Sequence, residues 1–151
     1  MQSKKVSVRE LVAFVHNEES IDNRKQSNHT ALEGSKIHRK LQQSMDENYQ
    51  SEVSLKTVYQ GKQFDIQLEG RCDGIWQKEN QIIIDEIKTG EHTFEQLEDA
   101  TLQLFMAQAK IYAYIYALQE KLEEVVGMVR YFCTQDEKID EYQNQYSFDE
   151  L

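Results

Sequence analysis

The sequence predicts an α/β fold, a mixed β-sheet flanked by helices in the order α, α, β, β, β, α, β. Three observations carry that reading. Apolar residues recur at helical spacing up to about residue 46 and then switch to strand-like runs between residues 51 and 88. A long, heavily apolar helical segment follows, from about residue 98 to 121, and a further strand-like run covers residues 124–134. Strands interleaved with amphipathic helices bury their apolar faces best as one sheet with helices packed on it.

The elements follow in order. Residues 6–16, VSVRELVAFVH, read as a helix with Ser7 and Glu10 placed as a capping box. Polar residues 17–29 break it. A second capping box, Thr30 with Glu33, opens a helix reaching about residue 46. Gly34 inside that helix costs about 1 kcal/mol against alanine, so it suggests a close approach by another element. SEVSLKTVY alternates as a strand, QGK turns the chain, and FDIQLEGRCDGIW makes a second strand with Gly70 and Gly74 at bulges or close contacts. KEN turns again, QIIIDEIK is the third strand, and KTGEHT is a loop. After the long helix and the fourth strand, the tail from Gln135 is acidic and aromatic.

Composition bounds the function. A chain of 151 residues, 39% apolar and 29% charged, suits a single domain with a real core. No apolar run approaches membrane-spanning length, and the basic start MQSKK lacks the apolar stretch of a signal peptide, which points to the cytoplasm. Cys72 and Cys133 are too few for a disulfide framework, an iron–sulfur cluster or a zinc knuckle, and read as reduced and buried. The net charge of −10 argues against a broad basic surface for nucleic acid. Its distribution is uneven: residues 1–45 carry 8 Lys and Arg against 5 Asp and Glu, and residues 46–151 carry 9 against 22. The one dense basic cluster is KIHRK, with Lys36, Arg39 and Lys40 around His38.

The stretch IIIDEIKTG puts three charges into a strand that begins as a buried one. Alternation places Ile82, Ile84, Glu86 and Lys88 on one face and Ile83, Asp85 and Ile87 on the other. In the preceding strand Arg71, Asp73 and Ile75 share a face, and a turn at KEN brings Asp73 near Glu86. Two carboxylates and an ammonium at a strand end can hold a divalent cation and a water. An ordinary edge salt bridge between Glu86 and Lys88 explains the same spacing. A helical His38 more often means a satisfied polar residue, and Gln108 with Tyr112, at i and i+4, more often means helix packing. Arg71 reads either as a phosphate contact or as a solvent-facing salt bridge.

Taken in order along the chain, Gly34 and His38, Gly70 and Asp73, Glu86 and Lys88, then Gln108 and Tyr112 resemble the RecB-like branch of the PD-(D/E)XK nuclease superfamily. The resemblance covers about residues 30–133 and implies a restriction-endonuclease-like αβββαβ core. Residues 1–29 then form an N-terminal helix and loop, and residues 134–151 an acidic tail. Stretches such as ALEGSKIHRKLQ, DEIKTG and AQAKIYAYIYA are similar to the N-terminal nuclease domain of bacterial DinG/XPD-type DNA helicases. The resemblance implies an enzyme, a deoxyribonuclease dependent on Mg²⁺ or Mn²⁺. His38, Asp73, Glu86 and the Ile87 carbonyl would be metal ligands, with Lys88, Glu86 and Asp73 catalytic. Gln108 and Tyr112 would shape the site and touch the nucleic-acid backbone, alongside Lys36, Arg39 and Lys40. Asp85 points to the other face and is excluded as a direct ligand. The implied partners are DNA and a helicase region in cis, with no membrane and no iron–sulfur cluster, although no phosphate-loop motif is present in this chain. Two other readings stand beside this one: a nuclease-fold module that binds DNA or docks a helicase without cutting, and a structural interaction protein that dimerises through the Tyr-rich helix.

Overall fold

The computed structural model describes the backbone of residues 2–16 and 28–150 and the side chains of residues 4–13 and 34–149. The chain runs β1 (Gln2–Ser7), α1 (Val8–His16), α2 (Asn28–Gln43), β2 (Tyr49–Gln60), β3 (Phe64–Lys78), β4 (Gln81–Gly90), α3 (Asp99–Glu120), β5 (Glu124–Cys133) and β6 (Ile139–Ser147). These build a six-stranded mixed sheet flanked by helices, in which β1 lies beside β3, then come β4, β5 and β6, with β2 also paired to β3. The polar residues 17–27, and the side chains of Thr30 and Glu33, lie outside the described residues.

Most expected elements form where their residue types favour them. β4 opens on three β-branched isoleucines and is buried from Ile83 to Ile87, as befits a strand flanked on both edges. α3 contains no glycine or proline and ends at Lys121, whose left-handed φ of 56° closes the helix with an N–H bond to the Ala117 carbonyl. The Ser7 cap is present, its hydroxyl accepting from the Glu10 N–H at 3.0 Å.

Two strands depart from the expectation. Residues 2–7 pair in parallel with β3, from Gln2 opposite Phe64 to Ser7 opposite Glu69. The helix starts at Val8, directly after the Ser7 cap, and Val6 belongs to the strand. The tail forms β6, antiparallel to β5 from Glu124 opposite Ser147 to Phe132 opposite Ile139. Both are carried by backbone pairing to an existing sheet rather than by their own apolar pattern. In β6 only Tyr146 is buried.

β3 is long because it serves three partners. β2 runs antiparallel along one edge, from Tyr49 opposite Trp76 to Gln60 opposite Asp65. The other edge is shared: β1 takes residues 64–69 and β4 takes residues 74–78. Residues 70–73 lie in the interval between those two partners. Regular pairing also lapses there on the β2 side, between Val53 opposite Cys72 and Ser51 opposite Gly74, where Glu52 adopts a left-handed φ of 54°. The lapse shifts the alternation. Cys72 and Ile75 both reach the same core, three residues apart, so the expectation that Arg71, Asp73 and Ile75 share a face fails at Asp73.

That core lies between the sheet and helices α1 and α3, and includes Val8, Val12, Leu55, Ile84, Ala113 and Ile115. A smaller cluster of Ile83, Val126 and Met128, with Trp76 against it, occupies the opposite face. Cys72 and Cys133 are free and buried. No described helix is long and apolar enough to cross a membrane.

Two glycines make opposite demands. A Cβ at Gly74 would overlap the Tyr49 ring, whereas a Cβ at Gly34 would meet only the Thr89 hydroxyl at 3.5 Å, an ordinary contact. Gly74→Ala is expected to cost about 1–3 kcal/mol through overpacking. Gly34→Ala is expected to be neutral or to stabilise by up to about 1 kcal/mol, through helix propensity. Urea denaturation of both variants checks the contrast, which fails if Gly34→Ala is the more damaging.

Candidate active site

β4 carries the charged residues away from the sheet's middle. Glu86 and Lys88 keep to the face of Ile84, toward α3, and their charged ends lie 3.3 Å apart. The Lys88 ammonium donates to the Gln108 side-chain oxygen of α3 at 2.5 Å and stands 5.4 Å from the Phe105 ring centre. The pair, for which an ordinary edge salt bridge is the alternative reading, is largely buried, with side-chain exposures of 19% for Lys88 and 6% for Glu86.

Asp73 meets β4 where the β3–β4 ladder stops. The last paired residues are Gly74 and Asp85. One step further, the Ile87 N–H donates to the Asp73 carboxylate at 2.7 Å, so a side chain replaces the ladder partner. α2 reaches the same place. His38 Nε2 lies 2.8 Å from the Ile87 carbonyl and 3.8 Å from the Asp73 carboxylate, and its Nδ1 lies 2.8 Å from the Gly34 carbonyl one turn earlier. His38, Asp73 and Ile87 thus meet at the parting of two strands, with the Glu86–Lys88 pair on the neighbouring positions of β4.

The other expected residues fall around them. Lys36, Arg39 and Lys40 lie on α2 beside His38, with Arg39 and Lys40 exposed and Lys36 likewise facing solvent. Gln108 and Tyr112 are buried, each 8% exposed, so they form an inner wall of this region. A Cβ at Gly70 would lie 2.7 Å from the Tyr112 hydroxyl, which explains the glycine there. Arg71 is exposed and sits 3.7 Å from Glu52, the solvent-facing salt bridge among its two readings.

Asp85 does point the other way, as alternation requires. It is fully buried and is gripped by the Arg130 guanidinium, with Nε 3.0 Å from one carboxylate oxygen and Nη2 2.5 Å from the other. The Tyr49 hydroxyl, crossing over Gly74, donates to it at 2.6 Å. Sequence reasoning misses both Arg130 and Tyr49. A signal exists for the first, since Arg130 is the one cation inside the apolar run EVVGMVRYFC.

The electrostatics separate the two neighbouring carboxylates. Asp85 has a bidentate cation and a hydroxyl. Glu86 has one ammonium and a second carboxylate nearby. Burial pushes the Glu86 pKa up to about 7, Lys88 pulls it back, and Asp73 pushes it further. Burial likewise raises Asp73, against the Ile87 N–H, His38 and Lys88, which lower it. Burial and the charges of Glu86 and Asp73 also raise the Tyr112 phenol.

The donor set is two carboxylates and a main-chain carbonyl, the oxygens that hard divalent cations take, together with one imidazole, a borderline nitrogen donor. A neutral imidazole can donate from only one nitrogen, yet both His38 nitrogens face carbonyl oxygens. A second proton on the ring pairs both carbonyls, and with a single proton the other nitrogen has its lone pair free for a cation beside its carbonyl. Among the described residues no three His, Cys, Asp or Glu side chains converge as they stand, and Glu86 pairs with Lys88. The residues fit a cation by donor chemistry and excess negative charge.

A family model described as the PD-(D/E)XK nuclease superfamily matches residues 3–150. Among solved structures, one titled "Crystal structure of SSO0001" is similar with a TM-score of 0.65 and 20% identity, over 97% of this chain and 70% of that one. At that identity the likeness concerns the fold. A search of curated proteins found no match.

The two carboxylates should respond oppositely to neutralisation. Asp85→Asn leaves Arg130 buried without its counter-charge and is expected to cost about 3–5 kcal/mol. Glu86→Gln should leave metal-free stability unchanged or higher. The pH dependence follows from the same shift. Between the usual carboxylate value of 4.5 and about 7, the folded protein holds a proton on Glu86 that the unfolded chain has released. Glu86 therefore stabilises below that window, and its contribution is lost as pH rises through it. Parent stability without metal, minus that of Glu86→Gln, should fall from pH 4.5 to 7 in denaturant titrations. A rise would contradict the burial of a poorly compensated carboxylate.

Proposed function

The chain belongs to the PD-(D/E)XK nuclease superfamily, and from that membership we propose that it is a metal-dependent nuclease that hydrolyses phosphodiester bonds of DNA. The observation that carries the proposal is the meeting of His38, Asp73 and the Ile87 carbonyl at the divergence of β3 and β4, with the Glu86–Lys88 pair on the neighbouring positions of β4. In this reading His38, Asp73, Glu86 and the Ile87 carbonyl hold Mg²⁺ or Mn²⁺. The cation supplies Lewis-acid polarisation of the phosphate and lowers the pKa of a water. Lys88, held by Gln108 and Glu86, sets an ammonium where negative charge builds up as water attacks phosphorus and the P–O bond breaks. Asp73 keeps its orientation through the Ile87 N–H. Tyr112 packs over Gly70 and excludes water from one side.

Lys36, Arg39 and Lys40 contact the nucleic-acid backbone in this proposal, since they lie on the turns of α2 that carry His38 while the chain as a whole is at −10. The order Gly34–His38, Gly70–Asp73, Glu86–Lys88, Gln108–Tyr112 supports assignment to the RecB-like branch. The wording of ALEGSKIHRKLQ and DEIKTG supports a DNA-repair setting next to a DinG/XPD-type helicase.

Incubation with labelled single- and double-stranded DNA tests the proposal. Cleavage is expected with Mg²⁺ or Mn²⁺, none with EDTA, and none by His38→Ala or Glu86→Ala with either metal. Metal at about 100 times its Kd should add about 2.7 kcal/mol to parent stability. Cleavage by Glu86→Ala at the parent's rate would remove this strand end as the site. Lys36→Glu with Lys40→Glu should weaken DNA binding and flatten its salt dependence, by about 0.9 in log–log slope for each duplex phosphate that is no longer neutralised.

A further inference from the structure

Gln42 has no role in the nuclease reading so far, yet it lies one helical turn beyond His38 on α2 and is 8% exposed. Its amide nitrogen donates to the Asp73 main-chain carbonyl at 2.8 Å and approaches the Glu52 carboxylate at 3.4 Å. Both acceptors belong to the lapse in the β2–β3 pairing, where Glu52 has its left-handed φ. Two oxygens facing the amide fix its orientation, nitrogen inward.

The Asp73 carbonyl has little else. The Tyr49 hydroxyl lies 3.4 Å away but carries one proton, which goes to Asp85 at 2.6 Å. The β3–β4 ladder has already ended at Gly74. A part-buried carbonyl taken out of both ladders is costly unless it is paired. His38 and Gln42, at i and i+4, therefore grip the two diverging strands from one helix face: His38 at the Ile87 carbonyl, Gln42 at the Asp73 carbonyl.

We propose that Gln42 is the positioning residue for Asp73, holding its backbone out of the ladder so that its carboxylate faces Ile87 and His38. The inference rests on the nuclease reading for what Asp73 does, and on geometry alone for where Asp73 is held. Gln42→Met keeps volume and flexibility and removes the donor. Gln42→Glu keeps the shape and sets a carboxylate against two oxygens.

Two measurements on the full chain decide it. In metal-free protein, hydrogen exchange of the Ile87 amide, which is bonded to the Asp73 carboxylate, should speed up about tenfold in Q42M, with β5 amides at the parent's rate. Calorimetric titration with Mn²⁺ should show affinity lower by about tenfold or more in Q42M and lower still in Q42E, the size typical for loss of an outer hydrogen-bond partner. Parent-like exchange at Ile87 in Q42M overturns the proposal, as does parent-like Mn²⁺ affinity alongside faster exchange. If the parent itself takes up no Mn²⁺ and cuts no DNA, the nuclease reading fails. The Ile87 exchange rate then decides the role of Gln42 by itself.

Discussion

One edge of β3 has to serve two strands. β1 uses residues 64–69 and β4 uses residues 74–78, with β2 filling the opposite edge. Neither β1 nor β4 pairs with residues 70–73, which lie between their two spans. β4 continues alongside β5 as far as Gly90, so beyond Asp85 it stays in the sheet but leaves β3. The backbone groups freed there find side chains instead: the Asp73 carboxylate for the Ile87 N–H, His38 for the Ile87 carbonyl, and Gln42 for the Asp73 carbonyl. The polar cluster is thus a consequence of strand arithmetic, and its chemistry is what the chain places in that opening.

The second determinant is how neighbouring carboxylates are treated. Asp85 and Glu86 are adjacent, buried, and on opposite faces. Asp85 is neutralised within the fold by Arg130 and Tyr49, and acts as a polar rivet beneath the sheet. Glu86 is left with Lys88 alone and a second carboxylate close by, so its proton is held unusually tightly. Such an arrangement lowers stability, and perturbed carboxylates of this kind cluster at functional sites. The same contrast explains why one strand can bury three charges after three isoleucines.

Much of this is legible in the residues. Strand alternation alone separates Glu86 and Lys88 from Asp85, and the KEN turn alone sets Asp73 beside the end of β4. The glycine at 70 announces a close approach, which is Tyr112. What is not legible depends on partners distant in sequence. β1 and β6 have weak apolar patterns and form because an edge is available to them. The left-handed Glu52 breaks the alternation of β3, and a non-glycine residue gives no local warning of that. Gln42 looks like one more polar helical residue, because its acceptor is a main-chain carbonyl 31 positions away. Gly34 suggests a close approach by another element, which is Thr89 of β4, at a distance that still leaves room for a Cβ.

The proposed chemistry depends on a divalent cation at the parting of β3 and β4. The most direct test is nuclear magnetic resonance of ¹⁵N-labelled protein with Mn²⁺ added well below stoichiometry, because a paramagnetic ion broadens the nearest amides first. The account predicts that the signals of His38, Asp73 and residues 86–88 disappear first, while those of acidic β6 persist. Bleaching that begins in the acidic tail or spreads evenly over the negative surface would contradict it.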